Sequence, residues 1–304
     1  MAYSITNKEQ LGYSAETVWG TTVAASPMNL LRYTGSDGKP ALSSVRSKEI
    51  LNSREVSDDI QTMKRGTGTA NVEWSYGMLD DMLQGLYMGA WATNVLQVGS
   101  TFQSFSIERQ YTDIGQYELY AGSVITGINM NVAPGKVVDG QVSWSSKFPS
   151  WSPTTGGTGT TAAPTNAVFD PISSVQLIQQ GGAGSIAGVL DFSMNLKQAP
   201  IDFPQLQSAD PATIGMGLFE ASGTISIYWQ DATYITLFKN FTQTSLLFTM
   251  GGAASKKYAF LFNKVKFTLG ENPNPGMNQP MVSKFNWTAQ MDVSDSTCQI
   301  TRTP

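Results

Sequence analysis

Chemistry in this chain of 304 residues has to begin with its nucleophilic and titratable side chains, and they are few. There is no histidine, which removes the usual general base near neutral pH, the commonest metal ligand and every Ser-His or Cys-His dyad. The one cysteine, Cys298, can make neither an internal disulfide nor a multi-cysteine metal site; in its polar tail it reads as an unpaired thiol. Asp80 and Asp81 have the types for a metal or acid/base pair. Adjacent helix positions point in different directions, however, so the expectation is a solvated acidic first turn favoured by the helix dipole. Gly182-Ala183-Gly184-Ser185-Ile186-Ala187 has the spacing of a dinucleotide-binding loop. The stretch after it, Gly188 to Met194, reads as a strand where that loop needs a helix, so a glycine-rich hairpin turn is expected. Asn240 and Asn286 each open an N-x-T triplet, which without a secretion signal says nothing about glycosylation. No G-x-x-x-x-G-K-[ST], H-E-x-x-H or G-x-S-x-G motif occurs. The residues point away from catalysis: no enzymatic activity, no cofactor and no bound metal are expected.

The charge balance narrows the partners. Lys+Arg number 19 and Asp+Glu 23, a formal charge of −4, which argues against a whole-surface attraction to nucleic acid or acidic membranes. Charged residues are 14% of the chain, against roughly 25% in an average soluble protein, and Gly, Ser, Thr, Asn and Gln take their place, as in β-rich proteins that live inside assemblies. The 41% of hydrophobic residues suffice for a core. The opening MAYSITNKEQ lacks the basic cap and apolar run of a secretory signal, and no stretch approaches a membrane-spanning length. Synthesis in a cytoplasm with no membrane partner is the expectation.

Along the chain, residues 1–26 show no sustained periodicity and read as an extended arm, which fully stretched would span up to about 85 Å. Tyr13 and Trp19 suggest that it docks on something. From Leu30 to Trp74 the pattern is β-like, interrupted by a polar stretch, Asn52 to Gly68, that reads as a long loop carrying Arg54, Glu55, Asp58, Asp59, Lys64 and Arg65. Met78, Leu79, Met82, Leu83 and Leu86 then predict a short amphipathic helix. Phe102 to Trp144 alternates again, punctuated by Gly and Pro as in an antiparallel sheet. Residues 149–167, without charge and rich in Pro, Gly and Thr, have a linker's composition.

After the linker the pattern restarts. Gly68-Thr69-Ala70-Asn71-Val72-Glu73-Trp74 returns as Gly223-Thr224-Ile225-Ser226-Ile227-Tyr228-Trp229, both following G-T-x-x-φ-x-W with φ apolar. Met82, Leu83 and Leu86 of the first helix lie opposite Leu237, Phe238 and Phe241. Phe105 and Ile107 resemble Leu246 and Phe248, and Ile128 to Val132 resembles Val265 to Leu269. Both halves close on an apolar-x-Trp strand, Val142-Ser143-Trp144 and Phe285-Asn286-Trp287. The repeated positions Gly68, Thr69, Val72, Trp74, Trp144, Gly223, Thr224, Ile227, Trp229 and Trp287 are read as core. A duplicated unit invites pseudo-symmetry: six positions of a closed ring would need only three chains.

Leu11–Ser36 (LGYSAETVWGTTVAASPMNLLRYTGS), Val45–Asp59 (VRSKEILNSREVSDD), Gly68–Trp74 (GTANVEW) and the helix after it resemble the major tail tube proteins of long-tailed bacteriophages, in the group whose chain carries two fused tube domains. The expected fold is mainly β: two tandem β-sandwich or barrel domains of tail-tube type (27–148 and 168–304), each with one short flanking α-helix, an extended N-terminal arm (1–26) and a linker (149–167). The resemblance implies a virion protein of the phage tail, assembled in the bacterial host cytoplasm, that forms stacked rings around a DNA-conducting channel. It implies contacts with itself, with terminator, tape-measure and distal tail proteins, and transiently with double-stranded DNA. The arm and the 52–67 loop, with Tyr13, Trp19, Arg54, Glu55, Asp58, Asp59, Lys64 and Arg65, are the candidates for ring-to-ring contacts. A channel that passes a polyanion without holding it should be lined by Ser, Thr, Asn, Gln, Asp or Glu rather than by bases. The rival readings are another virion β-protein, such as a tail terminator or capsid decoration protein, and a two-module carbohydrate-binding or adhesin protein with exposed aromatics on a shallow face.

Overall fold

The computed structural model describes residues 3–182, 184–271, 274, 276–293 and 296–304; Met1 and Ala2 of the expected arm and Ala183 of the glycine-rich stretch lie outside them. The protein is mainly β. A 3₁₀ turn, Thr6–Lys8, leads into β1 (Glu9–Ala15), β2 (Met28–Leu31), and the long strands β3 (Gly35–Arg46) and β4 (Asp59–Glu73). Helix α1 (Asp80–Tyr87) and the short β5 (Val95–Leu96) follow, then β6 (Phe105–Tyr111), β7 (Gln116–Val132), β8 (Asp139–Ser146) and two short strands, β9 (Ser150–Ser152) and β10 (Thr160–Thr161). The second half holds β11 (Val175–Gln180), β12 (Val189–Gln198), a small hairpin of β13 (Ile201–Phe203) and β14 (Thr213–Gly215), and β15 (Phe219–Tyr228). It ends with α2 (Thr233–Lys239), β16 (Thr244–Gly251), β17 (Lys257–Glu271), β18 (Val282–Ala289) and β19 (Gln299–Thr303).

The strand pairing is the same in both halves. The antiparallel ladder β1–β6–β7–β8–β4–β3 of the first is matched by β11–β16–β17–β18–β15–β12 of the second. Two irregularities coincide as well, with a register shift between Phe105 and Ile107 matched between Thr244 and Leu246, and one between Ile125 and Gly127 matched between Phe267 and Leu269. These bulges correct the alignment of the later strands: Phe105 and Ile107 correspond to Thr244 and Leu246, and Ile125 to Phe267. An apolar alternation fits several registers, whereas a bulge fixes one.

The core side of these strands explains the repeated motif. In β12, Phe192, Met194 and Leu196 are buried while Ser193, Asn195 and Lys197 face away, the two-residue period of a strand with one covered face. Gly68 of β4 lies opposite Trp144 of β8, and Gly223 of β15 lies opposite Trp287 of β18. A Cβ at either glycine would overlap the indole of the facing tryptophan. The glycine is thus the seat of the neighbouring ring, and the motif repeats because the seat repeats. Both tryptophans are buried, and in both the indole N–H lacks a hydrogen-bond partner among the described residues, a polar cost accepted twice for the same packing.

Several expectations change. The 1–26 segment is no free arm in its described part: β1 pairs along its whole length with β6 and also with β2, and Leu11 and Tyr13 are buried. The 52–67 stretch is the tip and one side of the β3–β4 hairpin, since Arg46 already pairs with Asp59. The 149–167 linker is held in place: β9 pairs with β7, β10 with β2, and the buried Glu108 carboxylate accepts hydrogen bonds from Thr155 Oγ1 (2.7 Å) and Gly156 N (2.6 Å). Cys298 belongs to the core, and burial pushes its thiol up to about 12. Its polar sequence neighbours hid this because the segment runs into β19, which joins β17 of its own half to β5 of the other.

Candidate functional site

No cluster of three or more His, Cys, Asp or Glu suited to a metal is found among the described residues, nor a helix long and apolar enough to cross a membrane. What the fold presents instead is a sheet with two faces and two unfinished edges. At the end of β7, Gly127–Val132 pairs antiparallel with Lys197–Phe192 of β12. That joint fuses the halves into one run of eight antiparallel strands, β3–β4–β8–β7–β12–β15–β18–β17. Among the described residues, β3 at one end of the run pairs only with β4. At the other end, again among the described residues, Leu269–Glu271 of β17 pairs only with β18. By the shared topology, β3 is the counterpart of β12 and Leu269–Glu271 that of the first residues of β7's joint. The two open edges are the two sides of the joint that the chain makes once inside itself.

The face away from the core is polar and nearly uncharged in sum. Across it lie Thr69 opposite Ser143, Asn71 opposite Gln141, Asn129 opposite Asn195, Ser193 opposite Thr224, and Thr224 opposite Asn286. Three of its lysines are matched by acids: Lys197 Nζ is 2.9 Å from Glu220, Lys39 Nζ is 3.0 Å from Asp37, and Lys284 stands opposite Glu271; Lys266, opposite Thr288, lies over the Phe241 ring (4.2 Å). Cross-strand hydrogen bonds such as Gln141 Nε2 to Asn71 Oδ1 (2.8 Å) keep these side chains paired with one another.

The joint is braced behind the sheet by α1. The Asp80-Asp81 pair, expected to be solvated, is a structural lock. Asp80 accepts from Tyr258 Oη (2.5 Å) and from Arg302 Nη1 (2.5 Å), both of the second half, while Asp81 accepts from Tyr13 Oη (2.9 Å). Burial, and the Asp80 carboxylate beside it, push the Tyr258 phenol far above its ordinary range, so it stays a donor. Replacing Asp80 with alanine strands a half-buried arginine and a buried hydroxyl. It should destabilise the fold by about 2–4 kcal/mol, read as a lowered midpoint in denaturant titration with the wild-type slope.

The family model for phage tail tube proteins matches residues 6–289, both halves together. The chain belongs to the phage tail tube protein family. It is accordingly a structural protein of the bacteriophage tail, and assembly with itself and with other tail proteins follows from that membership. No curated protein matches the chain.

Within this tail tube protein the sequence-derived residues separate by role. Val72, Trp74, Trp144, Ile227 and Trp287 are buried core. Thr69 and Thr224 are not; as the odd members of their strands they sit half-buried on the polar face. Trp229 is a correction of another kind. Its counterpart Trp74 is fully buried, with Phe260 of the second half against its ring and Phe169 N bonded to its carbonyl, but Trp229 is 37% exposed, and among the described residues no segment is bonded to its carbonyl in that way. Of the ring-contact candidates, Arg54, Glu55 and Asp58 are exposed at the β3–β4 tip, and Asp59 opens β4 in an exposed ion pair with Arg46 (3.3 Å). Tyr13 is buried in its own half, and Trp19 packs under Lys147 Nζ (4.4 Å) and donates to the Gly122 carbonyl (3.1 Å), so neither is free for a neighbour. Lys64 lies over the Phe148 ring and Arg65 pairs with Asp202 of the second half. Lys39 and Glu271, which sit on the open edges, carried no signal; the pairing of β7 with β12 is what singles them out.

Proposed function

We propose that the chain polymerises by repeating its internal joint: β3 of one copy pairs with Leu269–Glu271 of the next, so that three chains close a ring with pseudo-sixfold symmetry. The observation that carries this reading is the β7–β12 joint between two halves of identical topology, with its two sides open at opposite ends of the run. Transferring the register of that joint puts Ala41 opposite Leu269, Pro40 opposite Gly270 and Lys39 opposite Glu271. The facing charges of Lys39 and Glu271 are complementary. Open sheet edges are hazards that proteins pair or cover, and a rotationally repeated joint covers all of them.

In this reading residues 27–148 and 168–304 are the two tube domains, and rings stack head to tail into a tube assembled in the bacterial host cytoplasm. Terminator, tape-measure and distal tail proteins meet its ends and lumen. The polar face lines the channel. Its few lysines, three of them beside or opposite acids, offer phosphates no continuous track, so double-stranded DNA passes without being held. Stacking contacts come from the β3–β4 tip, where Val45, Ile50, Val56 and Ile60 are exposed beside Arg54, Glu55 and Asp58. Deleting residues 48–57 in favour of a two-residue turn should leave isolated rings and no tubes in negative-stain micrographs. Full-length tubes from that variant would refute the stacking role, and a wild-type chain that stays monomeric at high concentration would refute the function.

A further inference from the structure

Trp229 lines an open cleft of about 240 Å³ together with Tyr228, Gln230, Tyr234 and Phe285. We infer that Tyr3 of a second copy of this chain docks there, as Phe169 docks on the Trp74 backbone within the chain; this rests on the ring reading above. In the first half, Trp74 N donates to the Val138 carbonyl (2.8 Å), Phe169 N donates to the Trp74 carbonyl (2.8 Å), and Val138 N donates to the Phe169 carbonyl (2.9 Å). Ser75 and Val168 form a β-bridge beside them, and Phe169 is buried with its ring edge-on to Tyr258. The second half repeats the first of these bonds, with Trp229 N donating to the Met281 carbonyl (2.9 Å), and among the described residues has no counterpart of the other two.

The counterpart of Phe169 can be counted. Gly251 N, at the β16–β17 turn, donates to the Ser174 carbonyl (2.7 Å); Thr112 N, at the β6–β7 turn, donates to the Lys8 carbonyl (3.3 Å). The two bonds occupy the same place in the two halves. Five residues before Ser174 stands Phe169, and five before Lys8 stands Tyr3, an aromatic in both cases. Phe169 is 5% exposed; Tyr3 is 85% exposed. Asp113 holds the residues just after it, accepting from Ser4 Oγ (2.9 Å) and Ile5 N (2.8 Å), and the tyrosine ring is left outside. The neighbour is the same one the sheet requires. The segment carrying Phe169 docks on the half whose β7 receives β12, so the segment carrying Tyr3 belongs on the half whose β17 receives β3. Tyr3 N would donate to the Trp229 carbonyl, and Met281 N to the Tyr3 carbonyl. Helix α2 supports the same surface: it has no buried residue, whereas five residues of α1 are buried.

Photo-crosslinking tests this in the full-length chain, with p-benzoylphenylalanine in place of Tyr3. Irradiated assemblies should give covalent multimers on a denaturing gel, ending at the number of chains in one ring, with the crosslinks in peptides that contain residues 229–234 or 281–285. Tyr3→Phe should preserve assembly and Tyr3→Ser should raise the concentration needed for it about tenfold. Crosslinks confined to the parent chain, or to other surfaces, in rings that still form would overturn the Tyr3 assignment and leave the ring reading standing. Failure of the wild-type chain to assemble would overturn both.

Discussion

Replacing Gly68 with valine should destabilise the fold by about 3 kcal/mol, through overpacking against a ring that has nowhere to go. Trp144 cannot retreat, because it is buried, faces Ile125 of β7 on its other side and meets Tyr120 edge-on at 6.2 Å. Gly223→Val should behave alike, and with less relief, since a side chain there would also strike the Ser193 carbonyl of β12. Trp144→Leu alone should cost a similar amount through the cavity it leaves. The diagnostic variant is the double one. Gly68→Val with Trp144→Leu fills part of that cavity with the new methyl groups, so its loss should fall short of the sum of the single losses by at least about 1 kcal/mol. Denaturant titration of the four proteins decides it: additive losses would mean that the repeated glycine is not a seat for the tryptophan.

Reversing the charge on one open edge should abolish assembly while leaving the protomer folded. Lys39 and Glu271 are both solvent-facing in the single chain, so Lys39→Glu costs the monomer little beyond an exposed ion pair with Asp37. In the proposed joint it sets two acids opposite each other. A cross-strand pair is worth about 0.2–1 kcal/mol, so turning attraction into repulsion removes about 1–2 kcal/mol per joint, and a ring of three joints feels it three times. Sedimentation velocity should find the variant monomeric at concentrations where the wild type is assembled. Lys39→Glu combined with Glu271→Lys restores the pair and should restore assembly. Rings from the single variant, or no rescue in the double, would place the joint elsewhere.

How far the sequence went can be seen element by element. The β class, the helix over α1 and the doubled G-T-x-x-φ-x-W motif were legible because each rests on local periodicity or a fixed spacing. Strand β1 was not: Leu11, Gly12, Tyr13 and Ser14 are all buried, so both its faces are covered and the alternation that betrays a half-buried strand is missing. The start of β4 failed for the opposite reason, since Asp59 to Met63 is exposed on both faces. The supposed linker has a linker's composition, yet Glu108, far away in sequence, pins it, and no local pattern encodes that. Trp229 is the most instructive case. Its motif is identical to that of Trp74, and Trp74 is covered by what the second half brings to it, Phe260 against its ring and Phe169 on its backbone, a matter of chain connectivity that in the proposed ring falls to another copy.

In the proposed ring the contact between chains copies the contact between halves. A high-resolution electron cryomicroscopy reconstruction of the assembled protein tests it most directly. It should find β3 of each copy hydrogen-bonded antiparallel to Leu269–Glu271 of the next, with Lys39 facing Glu271 and three chains to a ring. Rings held by any other pair of surfaces, with β3 still facing solvent, would contradict it.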